Sequence, residues 1–186
     1  MIQEDLLIKV TDKLHQLKIP YMMTGGIAVI FYGKPRLTHD FDFVVTIKPQ
    51  QIPSLMEAFQ DEFFVSQEAI QNALNKQSMF NLIHFDSGIK VDFWMIQDSE
   101  FDRKRFERKQ KHGYGGKEIY FSSPEDIILK KILWFKESEI QKHIEDALGI
   151  LEIQQSLDFN YLKKWADRLG IQDLLKGLLK RISILD

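Results

Sequence analysis

The chain has no cysteine among its 186 residues, so disulfides and thiolate zinc sites are excluded and any metal must sit on oxygen or imidazole donors. That restriction tilts metal chemistry toward magnesium or manganese. No apolar run approaches the roughly 18 residues of a membrane span. The opening stretch MIQEDLLIKVTDKLHQLKIP carries acids early in an amphipathic pattern, unlike a signal or transit peptide. A cytoplasmic protein without a membrane partner is therefore expected. Prolines number only five, and there is no repeat and no low-complexity linker. Excess charge is also lacking: a net −2 argues against a blanket nucleic-acid binder. What is present, 44% hydrophobic and 28% charged residues, suits one globular domain or a core domain with a smaller helical appendage.

Hydrophobic spacing predicts a helix over residues 3–17, with Leu6, Leu7, Val10, Leu14 and Leu17 on one stripe. Tyr21–Thr24 reads as a short strand running into Gly25-Gly26, then a short buried helix over Ile27–Phe31 closed by the turn Gly33–Pro35. A strand over Asp40–Ile47 follows, then a helix from the Pro49/Pro53 bracket to about Asp61, and another near Glu68–Asn75. Met79–Phe85 and Ile89–Ile96 read as a hairpin pair, and Glu118–Phe121 as a short edge strand. From Ser123 onward the pattern is helical. Ser123, Pro124 and Asp126 make an N-terminal signature, and further helices are expected over 139–154, 159–169 and 171–184, with Gly170 as the last break. The expected architecture is an α/β core over residues 1–122, a mixed sheet flanked by helices, followed by a C-terminal helical subdomain over 123–186.

Three features carry chemistry. Asp40 and Asp42 lie two apart on a strand, so their side chains share a face with Cα atoms about 7 Å apart, while His39 and Phe41 point the other way. Alone, such a pair reads first as a wet face on an amphipathic strand; as a metal site it suits two divalent ions about 3.5–4 Å apart. Gly25-Gly26, where a strand turns into a helix, brings bare backbone N–H groups and a helix N-terminus to one point, an arrangement suited to phosphate. Asp92 lies in the middle of IKVDFWMI, on the face of Lys90, Trp94 and Ile96. Half-buried and unpaired, it would cost several kcal/mol, and a second carboxylate about 5 Å away would add roughly 3 kcal/mol of repulsion at an effective dielectric of 20. Cations held by Asp40, Asp42 and Asp92 resolve both costs.

The order Gly25-Gly26, thirteen residues, Asp40-Phe41-Asp42, then a strand-borne Asp92, resembles the polymerase-beta-like nucleotidyltransferase superfamily over about Ile19–Phe93. RLTHDFDF and SSPEDIILKKILW further resemble the minimal bacterial AbiEii-like members, some of them toxins or abortive-infection proteins with an antitoxin partner. The second motif position is often serine there, and Gly26 offers only backbone. The resemblance implies a nucleotidyltransferase-like fold, and transfer of a nucleoside monophosphate from ATP or another NTP, with release of pyrophosphate. Asp40, Asp42 and Asp92 would be catalytic and hold two Mg2+ or Mn2+ ions, with Gly25 and Gly26 binding the nucleotide. The other outcome is a silent nucleotide- or partner-binding module of the same fold.

Helical-wheel arithmetic places Lys131 in the centre of the stripe formed by Ile127, Ile128, Trp134 and Phe135, and Asp146 between Ile150 and Ile153 on the next helix. They form either a buried pair joining two helices or, as the AbiEii-like resemblance implies, a lysine reaching the nucleotide phosphates with Asp146 orienting it. Lys130 takes its place if the helix phase shifts. Arg36, in the loop before Asp40, is a further candidate for nucleotide binding, and Thr38 a tether for that loop. Trp94 is either core or a platform for a base.

The acceptor is read from charge. RKRFERKQKHGYGGK, Arg103 to Lys117, holds seven basic residues against one acid, so this segment is +6. It is either a solvated surface or a landing site for RNA through Arg103, Lys104, Arg105, Arg108 and Lys109. RNA is the favoured acceptor, and an antibiotic-type small molecule the alternative.

Overall fold

A computed structural model describes residues 2–182. The chain divides into two compact units, one made of the residues up to Ile27 with Thr38–Phe121, the other of Ala28–Leu37 with the residues from Ser122 onward.

The first unit is built on a seven-stranded mixed sheet. Its helices are α1 (Ile2–Gln16), α3 (Ile52–Phe59, entered through a 3-10 turn at Pro49–Gln51), α4 (Gln67–Lys76) and α5 (Glu100–Glu107). Its strands are β1 (Tyr21–Thr24), β2 (Asp40–Val45), β3 (Phe63–Phe64), β4 (Met79–His84), β5 (Lys90–Met95), β6 (Gln110–Tyr114) and β7 (Lys117–Phe121). They lie in the order β3-β4-β5-β2-β1-β7-β6. β2 pairs parallel with β5 and antiparallel with β1.

Alternation along the central strands separates two faces. On one, Met23, Phe43, Phe93 and Phe80 pair in register across β1, β2, β5 and β4, and all four are buried. Phe43 stacks on Phe93 at 5.6 Å between ring centroids, and Phe59 of α3 meets Phe93 edge-on at 6.3 Å. This aromatic layer anchors the unit. The other face therefore presents the intervening residues, Asp42 and Asp92 among them.

Three strands depart from expectation. Glu118–Phe121, expected at an edge, is internal: β7 runs beside β1, and β6 is the edge strand. β6 reads QKHGY, too polar to announce a strand, yet Gly115-Gly116 (φ 56° and 76°) closes a two-residue hairpin in which both turn residues need positive φ. β3, with two residues, is too short to leave a pattern.

The second unit holds α6 (Pro124–Ser138), α7 (Gln141–Ile153), α8 (Phe159–Arg168) and α9 (Gln172–Ile182). Residues 183 and 184 of the expected last helix lie outside the described residues. Ser123 caps α6 by accepting from the Asp126 N–H at 3.2 Å, with Pro124 at the first helical position. Asp158 caps α8, and Gly170 (φ 65°) separates α8 from α9. The segment Ala28–Leu37 packs within this unit. Gln154 Nε2 donates to Tyr32 O at 2.7 Å, and a Cβ on Gly33 would stand 3.0 Å from Ile150. Helix α2 (Gly25–Tyr32) begins in the first unit and ends in the second. Among the described residues no helix is long and apolar enough to cross a membrane.

Candidate active site

Strand register brings the predicted carboxylates of the sheet unit together. Asp42 is the direct partner of Asp92 on β5, and Thr24 and Asn81 extend that row on either side. Asp40 is paired with Lys90. All share one face, as the spacing predicted. His39 precedes β2 and is exposed.

The glycines are fixed by close approach. Gly25 has φ +60°, and a Cβ there would lie 1.9 Å from Asp42 Oδ2; a Cβ on Gly26 would lie 2.2 Å from Thr38 Oγ1. No other residue type fits at either position without displacing its neighbour. The Gly26 N–H donates toward Asp42 Oδ2 at 3.4 Å, so the start of α2 is aimed at the carboxylates. Thr38 also accounts for the missing serine, since its hydroxyl occupies the space a side chain at Gly26 would take. Its backbone oxygen accepts from Gln3 Nε2 at 2.9 Å, which holds the loop to α1.

Asp92 is 94% buried, with 6% exposure, and its two oxygens differ. Oδ2 receives the Lys90 ammonium at 3.2 Å, whereas Oδ1 is buried without any hydrogen-bond partner. Burial lifts the carboxyl above its ordinary range, reinforced by Asp42 and Asp40 and opposed by Lys90. Lys90 is held above its usual value, first by its bond to Asp92. Lys90 is the residue that sequence reasoning placed on the right face and gave no role.

An all-oxygen donor set and an orphaned buried carboxylate oxygen fit a hard divalent cation. As the side chains stand, no group of three histidine, aspartate or glutamate side chains among the described residues is gathered tightly enough to enclose one.

In the helical unit, Lys131 and Asp146 form the buried pair that the wheel allowed, Nζ to Oδ2 at 2.8 Å. Arg36 joins them, donating from Nε to Oδ1 at 2.8 Å and from Nη2 to Oδ2 at 3.1 Å. This fork was not foreseen, because Arg36 lies 110 residues from Asp146 in sequence. The ammoniums of Lys130 and Lys131 lie 5.9 and 5.2 Å from the Trp134 ring centroid.

The basic segment is largely paired. Arg103 meets Asp98, Lys104 meets Glu107 at 3.2 Å, Arg105 meets Asp102 at 3.0 Å, Lys111 meets Glu118 and Lys117 meets Asp12 at 3.2 Å. Lys109 packs its ammonium over Phe106, 4.3 Å from the ring centroid. Trp165 is buried, whereas Trp94 is 40% exposed on the face of Asp92.

No family model and no curated protein matches the chain by sequence. Solved structures do match. An antigenic nucleotidyltransferase-like protein from Paracoccidioides brasiliensis superposes with a TM-score of 0.59 at 20% identity, covering 94% of this chain and 91% of that one. The antibiotic-resistance factor ANT(2'')-Ia gives 0.56 at 13% identity, covering 98% and 95%. The lincosamide antibiotic adenylyltransferase LnuA, solved with lincomycin bound, gives 0.54 at 17% identity, covering 81% and 98%. The chain therefore has the nucleotidyltransferase fold.

Proposed function

We propose that the protein is a metal-dependent nucleotidyltransferase that moves a nucleoside monophosphate from an NTP to an acceptor hydroxyl. The observation that carries this reading is the orphaned Oδ1 of Asp92, set in register with Asp42 beside the glycine-built start of α2. Buried carboxylate oxygens are ordinarily hydrogen-bonded, so an orphaned one beside a second carboxylate favours a place for a cation. Asp40, Asp42 and Asp92 would hold two magnesium or manganese ions, whose charge neutralises the triphosphate and the departing pyrophosphate. Asp92, whose Oδ1 is without a hydrogen-bond partner, would take the proton of the acceptor hydroxyl. The acceptor oxygen forms a bond to the α-phosphorus as the bond to the β-phosphate breaks. The start of α2 at Gly25 and Gly26 would receive the phosphates at the positive end of its dipole, with the Thr38 hydroxyl beside Gly26.

For Arg36, Lys131 and Asp146, the three-way pairing favours an architectural role over direct contact with phosphate. The RNA reading needs cations free to meet a backbone, and the pairing of Arg103, Lys104 and Arg105 with acids supports the second reading, a small hydroxyl acceptor. A toxin role with an antitoxin partner rests on the AbiEii-like resemblance.

Calorimetry with manganese and a non-hydrolysable NTP tests the site. Binding in the wild type and its loss in Asp42→Asn are expected; no heat in the wild type sinks the reading. Incubation with each α-labelled NTP, magnesium, and either total RNA or a small-molecule extract then identifies the labelled species. Label on RNA that survives charge reversal at Arg103, Lys104 and Arg105 would count against the basic segment as the landing site.

A further inference from the structure

Among the described residues, the sheet unit has four exposed large hydrophobic side chains, and three of them cluster: Phe64 on β3, Ile83 on β4 and Phe85 just beyond it, while Trp94 on β5 stands on the far side of Asp92. Their exposures are 58%, 39%, 60% and 40%. Single exposed hydrophobics need no explanation, but a contiguous row does. Register places this row on the carboxylate face. Phe64 pairs with Ile83, Ile83 with Lys90, and Lys90 with Asp40. Phe85 follows Ile83 by one strand repeat, and its N–H donates to Glu62 O at 3.0 Å, continuing the pairing. Trp94 follows Asp92 by the same repeat. With strands about 4.8 Å apart, the row from Phe64 to Asp40 spans about 14 Å, the length of a small molecule.

We propose that Phe64, Ile83 and Phe85 form the acceptor shelf of the carboxylate site, and that the acceptor is a small amphipathic alcohol with an aliphatic or aromatic flank beside its reactive hydroxyl. The inference rests on the transferase reading above, which supplies the hydroxyl chemistry at Asp92. The shelf carries no acid, so it offers nothing to a polycation. Its one cation, Lys90, is engaged by Asp92, so it offers little to a nucleic-acid backbone. A protein strand is a poorer occupant than a small molecule, because β3 presents only two residues for edge pairing. The row reaches the carboxylates through Lys90, which lies between Ile83 and Asp40, and this ties it to the reacting group.

The test uses hexyl β-D-glucoside, below its micellar concentration, and methyl β-D-glucoside, each titrated calorimetrically into the full chain. The hexyl compound should bind at least tenfold more tightly, and Phe64→Ser/Ile83→Ser should bring the two within about twofold while melting at an unchanged temperature. Equal binding of the two glucosides, or discrimination that survives in the double variant, overturns the shelf. A wild-type dimer in sedimentation that the double variant dissolves assigns the face to a second copy and also overturns it. Asp42→Asn should lose manganese and keep the discrimination, so the two readings fail separately. Discrimination in a wild type that binds no manganese removes the acceptor role, and loss of the shelf with manganese binding intact leaves the transferase reading standing.

Discussion

Of the buried aspartates that lie beside basic side chains, Asp146 and Asp92 make a contrast, because only the first arrangement is finished. Asp146, in the helical unit, has both oxygens filled, by the Arg36 fork and by Lys131. Asp92, in the sheet unit, has Lys90 on one oxygen and nothing on the other, with Asp42 and Asp40 as like-charged neighbours. Burial is nearly the same, at 4% and 6% exposure. The difference therefore lies in satisfaction, and it separates a charge that holds helices together from one kept ready for a ligand.

Removing the finished carboxylate should cost most. Asp146→Ala leaves the buried Lys131 without this counter-charge and should lose about 3–5 kcal/mol in urea unfolding; a loss below about 1 kcal/mol would erase the distinction. Gly25→Ala comes next. Positive φ alone costs about 1–2 kcal/mol, the new Cβ must displace Asp42, and nucleotide affinity measured by calorimetry should fall with stability. Asp92→Asn should stay within about 1 kcal/mol of the wild type, because relief of burial and repulsion offsets the lost bond to Lys90. The same change should abolish manganese binding, and a large destabilisation with metal affinity retained would reverse the assignment.

The smallest effect is electrostatic. Lys90 opposes the upward shift of Asp92, so Lys90→Gln should move the Asp92 titration further up, as read by carboxyl 13C NMR. Because the folded value already lies above the unfolded one, about 3.9, the contribution of Asp92 to stability is fully present below the unfolded value and is lost as pH rises through the folded value. In Lys90→Gln that loss should extend to higher pH; an unmoved titration would mean that Lys90 does not govern this carboxyl.

The carboxylate face was legible because strand alternation is local: Asp40, Asp42 and Asp92 announce their face within a few residues, and Gly25-Gly26 announces its turn. The buried position of Lys131 and its pairing with Asp146 followed in the same way from helical periodicity. What was hidden depends on long-range pairing. The register of β5 against β2 sets Lys90 beside Asp40, and the Arg36 fork needs the fold of the second unit. Thr38 could not be matched to Gly26 until the loop brought them within van der Waals distance. The pairing within the basic segment was hidden for a related reason, since several of its acidic partners, Asp12, Asp98, Asp102 and Glu118, lie outside the window in which its charge was counted. Trp94, an aromatic in a strand, was open to either reading, and only its exposure settles that it is not core.

The course of α2 has a consequence for modularity. The chain passes from one unit to the other at residues 27/28, returns at 37/38 and passes again at 121/122. No single cut can therefore release the C-terminal helices. A fragment ending near residue 121 would keep Ala28, Val29 and Tyr32, which are buried in the full chain, but lose Ile150 against Gly33 and the Gln154 bond to Tyr32 O. Recombination that swapped helical appendages among such proteins would have to carry this ten-residue insert with them, so the two units are bound to be inherited as one piece.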